Sequence, residues 1–454
     1  MTLDVVILAA GQGTRMRSSL PKVLHPIAGK PMLAHVLDTA RLLTPSGMHV
    51  VVQPGADQVR RALAGDITWV EQREQLGTAH AVAQAMPGIG DDATVLVLFG
   101  DVPLVNPQTI RQCVDHAEAG HLSLVTAILR DPAELGRIVR EDGAIRRIVE
   151  YKDASTEQRG IREINSGIMA APSSLLSAFF ATMRNDNAQG EFYLTDIVEF
   201  ALCNGVRVEG VVTDNEMEVA GVNNRVQLAE VERAKQREIA EALMRGGVTL
   251  ADPARLDVRG NVRAGRDVFI DVNAVLIGEV ELGDGVSIGP NVMITDSKLG
   301  AGVRVNANSV IEGAVLSAQC TIGPFARIRP GTELAENVHI GNFVETKKAR
   351  IGKGSKANHL AYLGDTDIGA GCNIGAGTIT CNYDGFAKHR TSIGDDVFVG
   401  SNATLVAPVE LDDGAFVAAG STITTKVENG DLAVGRGKQR NIKGWTPPHR
   451  RQAK

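Results

Sequence analysis

Residues 269–294 read FIDVNAVLIGEVELGDGVSIGPNVMI, and within them Ile270, Leu276, Leu282, Ile288 and Ile294 fall six residues apart. A continuous strand repeats every second residue and a helix about every 3.6, so one aliphatic in six marks short strands separated by turns. That phase is the signature of a parallel β-helix. One aliphatic per six points inward, three short strands make a triangular coil, and stacked coils bury a continuous column. Gly and Asn serve the corners, which need unusual backbone angles. The phase resumes at Leu299, Val305 and Ile311, then at Leu316, Ile322, Ile328, Leu334 and Ile340. It continues through Ile351, Ile368 and Ile374 and finishes with Ile393, Val399, Leu405, Leu411, Val417 and Ile423. Two stretches stand out: residues 341–350 (GNFVETKKAR) break the phase, and residues 381–392 (CNYDGFAKHRTS) insert a polar loop. Insertions in repeat proteins map to loops and often to the binding face.

Upstream of the repeats, residues 225–245 (RVQLAEVERAKQREIAEALMR) lack Gly and Pro and are rich in helix formers. They read as a connecting helix ended by Gly246 and Gly247. Before it, apolar strand candidates (5–10, 49–52, 67–70, 94–99, 122–129, 165–170 and 206–212) alternate with helix-length segments (32–42, 57–63, 78–85 and 107–119). That order predicts an α/β domain with a mostly parallel sheet covered by helices on both faces, its ligands gathered at strand C-terminal ends. The expected divisions are 1–225, a helical linker 226–246, and 247–454.

The bulk numbers agree. A chain of 454 residues exceeds one ordinary core. Hydrophobic residues at 44% and charged residues at 22% match a soluble globular protein, while a narrow aliphatic column accounts for 49 glycines and only 4% aromatics. A net charge of −6 gives no global basic field for nucleic acid. The basic residues at 438–440 and 449–454 read as a solvated tail or as local attraction to an anionic ligand. Five cysteines without CxxC spacing suggest reduced thiols rather than disulfides or a zinc site. The start, MTLDVVILAAGQG, lacks the basic region of a signal peptide, and no apolar run approaches a membrane span, so a cytoplasmic location is expected.

The run LAAGQGTRM (8–16) follows the first predicted strand directly. It lacks the third glycine of a dinucleotide-binding fingerprint. Gly11 and Gly13 instead let backbone N–H groups approach phosphate, and Arg15 and Lys22 supply positive charge; an ordinary tight turn with solvated charges is the alternative. Gln72, Gly77 and Thr78 follow another strand end. Phe99, Gly100 and Asp101 end the strand TVLVLF, setting a carboxylate at the ligand edge of the sheet. One carboxylate with substrate phosphates suits Mg²⁺, though a turn-forming Asp is an equal reading. Together these residues resemble the sugar-phosphate nucleotidylyltransferases over roughly residues 3–225. The resemblance implies in-line attack of a sugar 1-phosphate on the α-phosphate of a nucleoside triphosphate, with pyrophosphate released. It implies that Leu8, Ala9, Ala10, Gly11 and Lys22 meet the nucleotide and that Gln72, Gly77 and Thr78 meet its base. Gly136, Glu150 and Asn165 would contact the sugar, and Asp101 and Asn223 would hold the metal. Gln12 stands where some members carry Lys.

In the second half, the runs RIRPG, GNFVETKKARIGKGSKANHLAYLGD and NIGAGTITCNYDG narrow the match. With the first half they resemble the bifunctional N-acetylglucosamine-1-phosphate uridylyltransferases/glucosamine-1-phosphate acetyltransferases. Acetyl transfer to a sugar amine needs a base, and a His suits that task. His359, in KANHLAY, is the candidate, against the alternative of an ordinary surface His. Arg329, Lys347 and Lys388 are suited to a sugar phosphate, while Tyr362, Asn373, Asn382 and Tyr383 offer hydrogen bonds. The resemblance implies a left-handed β-helix, His359 as general base, and Glu345 orienting its imidazole. It places Ala376, Ser401, Ala419 and Arg436 along an acetyl-CoA site assembled between subunits of a homotrimer. Glucosamine 1-phosphate, acetyl-CoA, N-acetylglucosamine 1-phosphate and UTP are the implied substrates. The alternative keeps the first activity and makes the β-helix a regulatory or trimerising platform.

Overall fold

Val5, Val6 and Ile7 are fully buried in the strand Leu3–Leu8, which carries a parallel neighbour on each side, Gly47–Val52 and Thr94–Phe99. A strand with no polar face belongs at the centre of a sheet covered on both sides. The computed structural model describes residues 2–63, 65–187 and 189–450; residues 451–454, the end of the basic tail, lie outside the described residues. The chain falls into two compact units, Met1–Gln236 and Arg237–Lys454.

In the first unit the sheet runs, edge to edge, Val208–Thr213, Leu122–Ile128, Glu163–Pro172, Thr94–Phe99, Leu3–Leu8, Gly47–Val52 and Thr68–Glu71. All pairings along this path are parallel except those of Glu163–Pro172, which is antiparallel to both neighbours. The helices Met32–Arg41, Asp57–Ala62, Thr78–Ala83 and Pro107–Glu118 lie where the pattern predicts. The last buries Ile110, Cys113, Val114 and Ala117, one helical stripe, and its start is capped by Asn106 Oδ1, which accepts from Gln108 N at 2.8 Å. One feature escaped the strand pattern. Arg137–Glu141 and Ala144–Val149 form an antiparallel hairpin whose tip, Asp142-Gly143, has both residues at positive φ (49° and 81°). Asp-Gly is a strong two-residue hairpin signal, masked here by the many charges on its strands.

The second unit is the parallel β-helix. Leu276, Ile294, Ile311 and Ile328 pair in register on successive coils, as do Ile270, Ile288, Val305, Ile322 and Ile340 on another side. Every aliphatic of the six-residue series is buried. Residues 341–350, expected to break the phase, do not. Thr346 pairs with Ile328 below and Leu363 above and is wholly buried, so a threonine takes the inward place. Its hydroxyl meets Thr332 Oγ1 at 3.2 Å, which satisfies both buried groups. The second irregularity is a true insertion: 25 residues separate Thr366 from its partner Thr391, against 17 between Asn342 and His359.

The helix Arg225–Arg245 has the expected bounds. Gly246 N, Gly247 N and Val248 N bond the carbonyls of Ala242, Met244 and Leu243, and Gly247 takes φ 99°, a glycine-terminated helix end. Among the described residues no helix is long and apolar enough to cross a membrane.

Candidate functional site

The loop after the central strand is tied down on both sides: Ala9 N donates to Val51 O (2.8 Å) and Gly100 N to Leu8 O (2.9 Å). Gly13 has φ 61°, and a Cβ there would lie 2.7 Å from Lys22 Cβ. Glycine thus lets Lys22 pack against the loop. The Lys22 ammonium contacts Asp101 Oδ2 and lies 3.2 Å from Asn223 Oδ1. The two candidate metal ligands therefore converge on one point, which a cation holds. Val222 N donates to Asp101 O at 2.9 Å, fixing the Asn223 segment beside Asp101.

Two cavities open beyond this point. The first, about 290 Å³, is lined by Leu8, Ala9, Ala10, Gly11, Lys22, Gln72, Gly77, Thr78, Phe99 and Asp101. The second, about 220 Å³, holds Gly136, Glu150 and Asn165 and shares Thr78 and Phe99 with the first. Gly100 lines neither; a Cβ there would lie 3.2–3.3 Å from Leu33, Ala9 and Val23. Arg15 is exposed and lines a separate cavity of about 590 Å³ with Asn223 and Gln227. Gln72 is buried, donating to Gly77 O (3.1 Å). Gly77 has φ 115° and abuts the Phe192 backbone. Burial pushes the Glu150 carboxyl above its usual range; a hydrogen bond from Thr195 opposes this, and the nearby Asp153 charge adds to it.

In the β-helix, Asn342 and His359 pair on consecutive coils, and His359 Nδ1 lies 2.7 Å from Asn342 Oδ1. An amide oxygen only accepts, so in the neutral ring Nδ1 carries the proton and Nε2 the lone pair, the tautomer a general base requires. Within the chain Glu345 Oε1 accepts from Arg329 Nη1 at 2.7 Å rather than meeting the His359 ring. The reason is register: Asn342 sits directly under His359, whereas Glu345 begins the next side and sits under Tyr362. Lys388 and Arg329 beside Lys347 hold its ammonium below the usual lysine range, so the three cations share one small region. Asn382 donates to Asp365 and to Tyr362 Oη, linking the inserted loop to the coil beneath it. Tyr383 is exposed and donates only within its own loop, to Gly385 O at 2.7 Å.

Asn373 lies one coil past Lys356 on the side that carries His359. Ala376, Ser401 and Ala419 each follow by two residues the paired Ile374, Val399 and Val417, so they stack along one corner. Arg436 closes the series, donating to Ala419 O at 2.8 Å. Sequence reasoning missed Asn342, Gln75 and Thr195. Gln75 Nε2 donates to Ala10 O (2.8 Å) and lines the first cavity, and the one sequence signal for it was its place in QREQLGTAHA.

The sequence comparisons fall on the same two halves. The MobA-like NTP transferase domain family matches residues 5–165. The GMPPB C-terminal domain family matches 258–352, and the hexapeptide repeat of succinyl-transferase matches 390–425. Full-length relatives are similar throughout. The bifunctional protein GlmU of Marinobacter nauticus is 57% identical over 448 residues, 98% of this chain and 99% of that one. Those of Stutzerimonas stutzeri (55% over 450 residues, 99% of each chain) and Ralstonia nicotianae (52% over 448 residues, 98% of each) align equally completely.

Proposed function

This chain belongs to the family of the bifunctional protein GlmU, and from that premise we propose how its residues divide two reactions between them. The protein is a bifunctional transferase. It acetylates glucosamine 1-phosphate with acetyl-CoA, then transfers UMP from UTP to N-acetylglucosamine 1-phosphate, giving UDP-N-acetylglucosamine and pyrophosphate. The functional divisions proposed are 1–225, 226–246 and 247–454, working in the cytoplasm as a homotrimer.

For uridylyl transfer, the observation that carries the reading is the pair of cavities joined at Thr78 and Phe99, headed by Lys22, Asp101 and Asn223. The base occupies the cavity at Gln72, Gly77 and Thr78, and the sugar occupies the one at Gly136, Glu150 and Asn165. This sets the sugar phosphate and the α-phosphate side by side, so that the reaction needs positioning and charge neutralisation rather than a covalent intermediate. Lys22 and Arg15 neutralise phosphate. Asp101 and Asn223 present a carboxylate and an amide oxygen to one cationic point, a donor set that fits Mg²⁺. When bound, the ion offsets phosphate charge.

For acetyl transfer, Arg329, Lys347 and Lys388 hold the sugar phosphate, with Glu345 fixing the Arg329 fork. His359 Nε2 takes a proton from the amine as its nitrogen attacks the thioester carbonyl; the acetyl group passes to nitrogen as the C–S bond breaks, and His359 hands that proton to the departing sulfur, which leaves as the coenzyme A thiol. Tyr362 and Asn373 offer hydrogen bonds to the sugar. Acetyl-CoA lies along Ala376, Asn382, Tyr383, Ser401, Ala419 and Arg436. Phe325, Phe343 and Leu360 project at one corner beside Asn342 and His359, and all are exposed (49%, 56% and 60%). That apolar ladder supports a neighbouring copy packed against the site.

The test is to incubate the protein with glucosamine 1-phosphate, acetyl-CoA, UTP and Mg²⁺ and follow products by mass spectrometry. UDP-N-acetylglucosamine forms, and N-acetylglucosamine 1-phosphate accumulates when UTP is omitted. Conversion of supplied N-acetylglucosamine 1-phosphate alone would leave the β-helix without its assigned reaction.

A further inference from the structure

The segment of residues 191–195 borders the base and sugar cavities: Glu191 lines the first, and Leu194 and Thr195 line the second. Phe192 N donates to Leu76 O (2.8 Å), Phe192 O accepts from Ala79 N (3.0 Å), and Leu194 N donates to Thr78 Oγ1 (3.1 Å). The next side chain, Thr195, is 9% exposed, and its hydroxyl donates to Glu150 Oε1 at 3.1 Å. Gly136 lies against the same carboxylate, a Cβ there falling 3.4 Å from Glu150 Oε2. Among the charges near Glu150, Asp153 on its own segment raises the carboxyl further, and Tyr193 and Asp196 on the segment packed over it feel its charge; Lys152 follows on the same segment and Arg137 pairs beside it with Val149. The Thr195 hydroxyl is a neutral donor that favours the carboxylate form.

We propose that Thr195 is a positioning residue for uridylyl transfer: its hydroxyl holds one Glu150 oxygen so that the carboxylate is presented to hydroxyl donors of the sugar. The proposal rests on the reading of the Glu150 cavity as the sugar site. A carboxylate free to rotate offers its acceptors to the sugar in many orientations, few of them productive. Thr195→Val keeps the shape of the side chain and removes the donor. The Glu150 oxygen is then left half-buried without that partner, a loss that for a charged group reads as about tenfold in affinity.

The test measures steady-state kinetics of Thr195→Val, Thr195→Ser and Glu150→Gln in the full chain. Thr195→Val raises KM for N-acetylglucosamine 1-phosphate about tenfold, with KM for UTP and the acetyltransferase rate within about twofold. Thr195→Ser, which restores the donor, recovers most of the affinity. Thr195→Val also moves the acid limb of kcat/KM to higher pH, because the carboxyl has lost a bond to its ionised form. Should valine prove poorly folded by thermal melting, Thr195→Ala with serine as its rescue reads the same quantities. Equal defects in valine and serine variants, or an unmoved acid limb, would overturn the proposal. If Glu150→Gln itself leaves the sugar KM unchanged, the sugar-site reading fails. If Glu150→Gln raises it and Thr195→Val does not, that reading stands and the role of Thr195 fails.

Discussion

Replacing Gly77 by alanine puts a methyl group where the backbone leaves no space for one. The new Cβ would lie 2.5 Å from Phe192 O and 2.8 Å from Phe192 N, and both atoms belong to the main chain, so neither rotates away. Gly77 also sits at φ 115° and ψ 177°, a region nearly closed to L side chains, at a cost of about 1–3 kcal/mol. Relief requires moving Phe192, which is pinned by Ala79 N (3.0 Å) and by Leu76 O (2.8 Å). Losing either bond costs about 1 kcal/mol. The sum is about 2–4 kcal/mol, which for a unit of this size lowers its melting temperature by roughly 4–16 °C. Function suffers at the same place. Gly77 O accepts from Gln72 Nε2, and Thr78 divides the two cavities, so KM for UTP rises at least about tenfold. The assay is paired: uridylyl transfer and acetyl transfer on one preparation, with differential scanning calorimetry. Acetyl transfer is retained, because its groups lie between Arg329 and Arg436 in the other unit. A Gly77→Ala protein with normal melting and normal UTP affinity would refute the argument that Phe192 constrains this position. Parallel loss of both activities would refute its confinement to the first unit.

His359→Ala abolishes acetyl transfer by about 10²-fold or more while uridylyl transfer of supplied N-acetylglucosamine 1-phosphate continues, and Asn342→Ala gives a smaller loss; a full acetyl rate in His359→Ala removes the general-base assignment. Asp196 is pushed up to about 6, first by desolvation and then by Glu199, Glu150 and Asp153. The folded chain therefore holds a proton that the unfolded chain, with a carboxyl near ~3.8, has already lost, and stability declines as pH rises from about 4 to about 6. Asp196→Asn gains stability at pH 7 and none near pH 4, modestly because the side chain is exposed; equal gains in denaturant melts at both pH values contradict the sign. Ile311→Ala, at a fully buried place in the column, costs about 2–5 kcal/mol in denaturant unfolding of the second unit, and a cost under about 1 kcal/mol would mean the coils re-close around the gap.

Periodicity made much of this protein readable before any coordinate. A six-residue phase has few physical solutions, and each aliphatic of the series is buried as that solution demands. The same reasoning went astray at residues 341–350, because it counted aliphatics and Thr346 is not one; the coil tolerates a buried threonine once its hydroxyl finds Thr332. The candidate site was partly legible for a related reason. Gly13, Lys22 and Asp101 follow strand ends, and in an open α/β sheet strand ends are where ligands gather. Thr195 gave no such signal. It lies in a short turn, Leu194–Asp196, far along the chain from the strand ends that line the first cavity.

By itself, then, the sequence determined the two architectures, the inward residues of the β-helix, and the short motifs whose chemistry is local. Only the tertiary structure decided which groups meet. Asn342, not Glu345, partners His359 because coils stack in register and bring together residues 17 apart. Lys22 reaches Asn223 across 201 residues, and Thr195 reaches Glu150 across 45. Such pairings depend on where separate segments are packed, and no local pattern of apolar and polar residues carries that information.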